Sequence, residues 1–313
     1  MRAVRLVPLQ RLYFRHELGN AGKHRRFHNQ IRYNVLNRYP PYMKKIIIAT
    51  DYSAEAENAA DFAAAVAAEQ GHELILFNVS EISIHVLNGR VSGNAIDEML
   101  EIYHTNLRKA AEALSKKYNV KVTPHLATGN FYGSLVDCIN QFEADAVIMG
   151  MAGKSVEQDL LGNTTTFAIH RLQLPILAIP ITTKYHGIHK ILFACDMEKG
   201  VPDKVLENVH EIATTFGAAV EVFYVKDKIE ELAEAQETEH ASIDKAFTGI
   251  NYYYKHIQSH KIINAIQDEI METNADLLIM APYKYGFWDS IVHRSKTRMM
   301  ASGNNVPLLS LPS

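Results

Sequence analysis

Ala146-Val147-Ile148-Met149-Gly150-Met151-Ala152-Gly153 is the stretch from which the fold is read. Four apolar residues run without a break, as a parallel strand covered on both faces requires. Gly150 follows at once, and Gly153 three residues later. Glycine permits positive φ and lets backbone come close to a ligand. The chain then reaches Gly162-Asn163-Thr164 and an apolar helix over 167–172. Free N–H groups at such a helix start, together with the helix dipole, favour a phosphate. The stretch therefore reads as buried strand, glycine-punctuated loop and helix start. Two readings of the loop follow: a nucleotide phosphate pocket at 150–164, or glycines that only make tight turns.

Upstream, strand and helix alternate. Ile46-Ile47-Ile48-Ala49-Thr50 is a first strand ending in Asp51, and Ser53 is placed to cap a helix over 54–70 that stops at Gly71. Leu74 to Val79 is a second strand. A helix over 95–117 carries Ile96, Met99, Leu100, Tyr103, Leu107, Ala110, Ala111 and Leu114 at the 3.6-residue period. Val120 to Ala127 is a third strand, 131–142 a helix, and 146–149 the fourth strand. Pro175-Ile176-Leu177-Ala178-Ile179-Pro180 closes the unit. Such alternation predicts an α/β fold with a doubly wound, Rossmann-like parallel sheet.

The unit then repeats. Ile191-Leu192-Phe193-Ala194-Cys195-Asp196 echoes Ile47 to Asp51, and Ala275-Asp276-Leu277-Leu278-Ile279-Met280 echoes Ala144 to Met149. Pro307 to Pro312 echoes Pro175 to Pro180. Three matches in one order predict two tandem copies, over 43–183 and 188–313. In the second copy, 220–225 is a strand, 227–247 and 259–273 are helical, and 249–254 is the third strand. The terminal strands 175–180 and 307–312 are edges whose pairing would join the copies as a pseudo-dimer within the chain.

Composition bounds the function classes. The apolar share is 47% of 313 residues, enough for real cores, and two cysteines, Cys138 and Cys195, rule out a disulfide scaffold or cysteine-rich zinc site. Both sit in apolar segments and read as buried thiols. No apolar run reaches the length of a membrane span, so a cytoplasmic protein is expected. Residues 1–42 hold nine Lys/Arg against Glu17, a charge of +8, which leaves −11 on the rest. An acidic body argues against nucleic acid as its partner. The basic segment itself reads as a disordered extension or a mis-assigned start, with Met43-Lys44-Lys45 leading directly into a strand. A transit peptide would be Ser-rich, and this segment contains no Ser or Thr.

In an open parallel sheet, ligands sit beyond the carboxyl ends of strands where the winding reverses. Strands one and four are neighbours there, so Asp51 is expected to face the loop at 150–164. Its carboxylate is suited to accept hydrogen bonds from a ribose or base, or to help hold a divalent ion. The alternative is a capping role for the helix at 54. Val79 offers backbone to an adenine edge.

With Asp51 after a hydrophobic strand, Gly150-x-x-Gly153, and the closing Pro-Ile-Leu-Ala-Ile-Pro strand, residues 43–313 resemble the universal stress protein family, of the adenine-nucleotide-hydrolase-like fold, in a tandem pair. The resemblance implies binding of ATP or AMP, with Mg²⁺ as a possible companion. Carried over by position, it assigns Asp51 and Val79 to adenosine and Gly150, Gly153, Gly162, Asn163 and Thr164 to phosphates, with Met149 beside them. The family's nucleotide-binding members have Gly-x2-Gly-x9-Gly-(Ser/Thr). Here eight residues separate Gly153 from Gly162, and Asn163 stands where the hydroxyl residue is expected. Thr164 offers a hydroxyl from the next position.

The second copy departs further. Ala281 and Lys284 replace the two glycines, Pro282 removes a donor, and His293-Arg294-Ser295 stands at the phosphate turn. This copy is expected not to bind nucleotide, with Asp196 as a vestige. Gly153-Lys154-Ser155 is not a P-loop, because Ile148 occupies the place of its first glycine. No His-x3-His metal spacing is expected on a helix, and no Gly-x-Ser-x-Gly nucleophile is present. Tyr252-Tyr253-Tyr254 reads as strand packing. The leading expectation is a regulatory nucleotide binder rather than an enzyme. A nucleotide-free protein-interaction module, homodimeric or with other partners, and a slow ATPase using Glu157 or Asp159 are the rivals.

Overall fold

The computed structural model describes residues 44–80, 93–151, 162–197, 200–226, 233–281 and 306–312. The basic segment 1–42, Gly153, Glu157, Asp159 and the second copy's loop from Pro282 lie outside them. The first apolar run forms β1 (Lys45–Ala49), followed by α1 (Ala54–Gln70), β2 (Glu73–Ser80), α2 (Gly93–Tyr118) and β3 (Val122–Thr128). Then come α3 (Phe131–Phe142), β4 (Ala146–Met151), α4 (Gly162–Arg171) and β5 (Ile176–Pro180). The second half continues with β6 (Lys190–Ala194), α5 (Asp203–Phe216), β7 (Ala219–Lys226), α6 (Ala233–Ala246), β8 (Tyr252–Gln258), α7 (Ile262–Thr273), β9 (Leu277–Met280) and β10 (Leu308–Ser310).

The strands make one ten-stranded sheet in the order β3-β2-β1-β4-β5-β10-β9-β6-β7-β8. Every neighbouring pair is parallel except β5 with β10, which is antiparallel. Read from either edge to the centre, the order is the same: outer strand, second strand, first strand, fourth strand, closing strand. The α/β parallel sheet expected from the sequence is therefore present. The closing strands do meet, Leu308 opposite Ala178 and Ser310 opposite Ile176.

Alternation along the strands divides the core. Ile46 and Ile48 of β1 face α1 and α2. The Ala-rich sequence of α1 lets it lie close, with Ala59, Ala63, Ala64 and Ala67 almost wholly buried. Ile47 and Ala49 face the opposite layer, where α3, α4 and α7 contribute Leu135, Ala168, Ile169, Ala265, Ile266 and Ile270 to one continuous cluster. That layer spans both halves of the sheet. Over the second half, α5 and α6 cover the other face through Val205, Leu206, Val209 and Ile243.

Local signals explain the element ends. Ser53 caps α1, its Oγ accepting the Ala56 N–H at 3.2 Å, and Gly71 closes that helix in the left-handed region at φ 73°. Several boundaries differ from the sequence expectation. β3 begins at Val122 rather than Val120, and α7 at Ile262 rather than 259. The described part of the helix expected over 227–247 is Ala233–Ala246. The strand expected over 249–254 is Tyr252–Gln258, because Gly249 at φ 95° and Ile250, whose N–H bonds to Phe247 O at 3.2 Å, still belong to the turn after α6.

Candidate functional site

The winding of the first half reverses between β1 and β4, which are direct parallel neighbours with Ile48 opposite Ile148. Ala49 stands opposite Phe77 on β2. Carried two residues on along β2 and three along β4, the register puts Asp51 level with Val79 and Met151. The N-termini of α1, α3 and α4 open at this same edge. The sequence expectation that the first and fourth strands are neighbours where the winding reverses is met by this register.

The turn holding Asp51 is fastened on both sides. Thr50 N–H bonds to Phe77 O at 2.9 Å, and Asn78 Nδ2 donates to Thr50 O at 2.7 Å. Tyr52 takes a left-handed φ of 63°, its N–H donating to Thr50 Oγ1 at 3.1 Å. Such a φ is uncommon for a non-glycine residue and is held here by its neighbours. Ser53 N–H donates to Asp51 Oδ1 at 2.9 Å. Ser53 is thus the helix cap, and Asp51 supports it from behind. Asp51 remains exposed. Partial burial pushes its carboxyl up, but the hydrogen bonds from Ser53 outweigh this and hold it below the ordinary carboxylate value.

Gly150 lies within β4, paired with Ile179, rather than opening the loop. A Cβ there would stand 2.6 Å from the Glu55 carbonyl carbon and oxygen and 2.8 Å from Ala56 N. The glycine is therefore required by the first turn of α1 lying against the strand end. This is a packing reason that neither sequence reading of the glycine anticipated. Met149 is buried and Val79 half-buried, one residue before the end of β2. Gly162, Asn163 and Thr164 form the first turn of α4, and Thr164 is exposed. Thr165 Oγ1, buried, reaches Gly150 O at 3.5 Å and ties the helix start to the strand end. Asn78 and Thr165 were not singled out from sequence. Asn78 had a signal, a lone amide inside an apolar strand.

The second half repeats the frame with different fittings. Cys195 N–H bonds to Phe223 O at 3.0 Å, as Thr50 does to Phe77. The connection from β6 to α5 runs over eight residues, 195–202, against four, 50–53, in the first half. It buries Met197 and Val201, and Pro202 at the helix start makes no side-chain cap. Ala281 stands at the place of Gly150 and is itself buried. Tyr224 replaces Asn78, stacked on His256 with ring centres 5.4 Å apart. Among the described residues no group of three or more His, Cys, Asp or Glu is arranged to hold a metal ion, and no helix is long and apolar enough to cross a membrane. Burial pushes the Cys138 thiol up to about 12 and the Cys195 thiol also upward, as inert structural thiols behave.

The family model described as "Universal stress protein family" matches residues 43–180. A universal stress protein of Methanocaldococcus jannaschii is 29% identical over 153 residues, 48% of this chain and 88% of its own. The solved universal stress protein from Archaeoglobus fulgidus superposes with a TM-score of 0.64 at 19% identity, over 87% of this chain and 97% of that one. A Pseudomonas aeruginosa structure gives 0.54 at 12% identity, over 86% and 93%. These two share the fold along most of the chain. Residues 43–180 thus carry a Universal stress protein family domain.

Proposed function

We propose that residues 43–183 bind an adenine nucleotide, ATP or AMP, and that residues 188–313 are a second, degenerate domain of the same fold with a structural or regulatory role. The observation that carries the first part is the meeting of Asp51, Val79 and the Gly150 strand end at the point where the winding reverses. In this reading Asp51 accepts hydrogen bonds from the ribose, and its lowered carboxyl keeps it an acceptor. The backbone of Val79 faces the base, Met149 supports the strand end, and Gly153 with Gly162, Asn163 and Thr164 receives the phosphates at the start of α4. The site acts by nucleotide-dependent change of shape in a cytoplasmic regulator. The long β6–α5 connection, its buried Met197 and Val201, and Ala281 support a second half without that site.

One observation favours a second reading, a nucleotide-free interaction module: the packing of Gly150 on α1 accounts for that glycine without any ligand. Calorimetric titration with ATP and AMP, with and without Mg²⁺, separates the two. Saturable binding that weakens about tenfold or more in Asp51→Ala is expected, since a hydrogen bond to a charged group is worth about 1.5–3 kcal/mol. No binding at millimolar nucleotide favours the module.

A further inference from the structure

The two halves of the sheet differ most beneath α7. Lys190 of β6, Glu221 of β7, and Tyr253 and Lys255 of β8 alternate with residues turned to the other face, and all four lie on the α7 side. Glu221 is 0% exposed and Glu269 of α7 is 3% exposed. Lys255 Nζ stands 2.8 Å from each oxygen of Glu269 and 3.2 Å from Glu272. Tyr253 O–H donates to Glu221 Oε2 at 2.6 Å. Lys190 Nζ donates to Thr273 O at 3.2 Å and lies 5.8 Å from the centre of the Tyr253 ring. Glu221 Oε1 is buried with no partner, and the Glu269 carboxyl group adjoins Glu221. The equivalent positions of the first half, by the starts of β2 and β7 and the ends of α3 and α7, are Ile75 and Cys138, both in the apolar core.

Two carboxyl groups stand where the first half has an apolar pair, and among the described residues only one cation, Lys255, forms an ion pair with them. That cation is already shared between both oxygens of Glu269. A second negative charge at Glu221 would face a like charge in a buried site and leave Oε1 unsatisfied. A proton on Glu221 Oε1 removes both penalties at once, because the O–H can donate to Glu269. We propose that Glu221 and Glu269 share one proton in the folded protein, and that this proton fastens α7 to β7 and β8 so that rising pH loosens the layer.

The surroundings agree in sign. Burial and the neighbouring Glu269 push the Glu221 carboxyl above the ordinary glutamate value, against the opposing pull of the Tyr253 hydroxyl and the Lys190 charge. The described groups facing the pair are Lys190 from β6, Tyr253 and Lys255 from β8, and Glu272 from α7 itself. The folded chain then holds a proton that the unfolded chain releases. Its stabilising contribution is complete below the ordinary glutamate value and disappears as pH rises through the raised, folded value. Through Asn274, α7 runs straight into Asp276 and β9, so its loosening reaches the strand that abuts β10.

Urea unfolding of the full chain tests this from about pH 5 to about pH 9, comparing the wild type with Glu221→Gln. Glutamine keeps the shape and the donor without the titration. The wild type is expected to lose stability relative to Glu221→Gln as pH rises, by up to about tenfold in the folded-to-unfolded ratio for each unit of raised pKa. A gap that stays constant across the range overturns the proposal. If Glu221→Gln does not fold, Glu221→Ile, which restores the first-half residue, takes its place. Infrared spectroscopy supplies an independent reading: a buried protonated carboxyl band at neutral pH in the wild type, lost in the variant. Absence of that band in the wild type overturns the proposal whatever the melts show.

Discussion

Gly150 shows how one residue answers to two demands. A glycine after a buried strand invites a phosphate, yet the space a side chain would take here is filled by the backbone of Glu55 and Ala56. Because those atoms are backbone, they cannot swing aside. Gly150→Ala is expected to lower stability by about 1–3 kcal/mol, the usual range for overpacking, as measured by thermal unfolding without nucleotide. Ala281→Gly in the second half should instead change stability by less than about 1 kcal/mol, because the longer connection at 195–202 moves the α5 start. Asp51 has a pH signature of its own. Its carboxyl is lowered in the fold, so the stability it adds is present above the ordinary aspartate value and is lost as pH falls through the folded value. In Asp51→Asn that acid-side slope is expected to shrink, as read from urea midpoints between about pH 5 and about pH 2. Asp51 and Gly150 were legible because strand pattern and winding place them without side-chain detail. The packing of Gly150 was not, since it depends on where α1 rests.

At the scale of elements, the repeated Ala-Asp signal at 144–145 and 275–276 acquires a mechanical reason. Lys45 N–H donates to Asp145 Oδ2 at 2.8 Å, and Asp145 N–H returns a bond to Lys45 O at 2.9 Å. In the second half, both His189 and Lys190 N–H groups converge on Asp276 Oδ2 at 2.8 and 2.9 Å, and Asp276 N–H bonds to Lys190 O at 2.8 Å. Each aspartate clamps the start of the first strand to the start of the fourth, setting their register. Asp276→Asn is expected to cost about 1.5–3 kcal/mol, more than Asp145→Asn, because two donors depend on one charged oxygen. Equal losses in urea unfolding would show that the second donor adds nothing. These clamps explain why the repeat survives at those residues when the glycine loop does not. Helix ends were equally legible: Ser53 and Gly71 act through local geometry that sequence carries directly. The start of β8 was not, because Ile250 looks like a strand residue but finishes the turn from α6.

Across the whole sheet, the two halves meet along β5 and β10, whose antiparallel pairing leaves neither closing strand as an open edge. The seam was anticipated from the paired Pro-to-Pro segments. Their merging into one apolar layer was not, since periodicity within a segment says nothing of which distant helices share a face. That layer joins Leu135 and Ile169 of the first half to Phe223, Ile266 and Leu308 of the second. Lys44 and Glu211 add an ion pair between the halves, and Asn58 holds the junction by donating to Pro180 O and Thr183 O at 2.9 Å each. A shared core predicts shared unfolding. Leu308 is 5% exposed and sits opposite Ala178, so Leu308→Ala should cost about 2–5 kcal/mol. Native-state hydrogen exchange is expected to show that loss in α3 as well as in α7, with one transition by circular dichroism. Protection lost in α7 alone, or a two-step melt, would mean that each half keeps its own core and that the seam only tethers them.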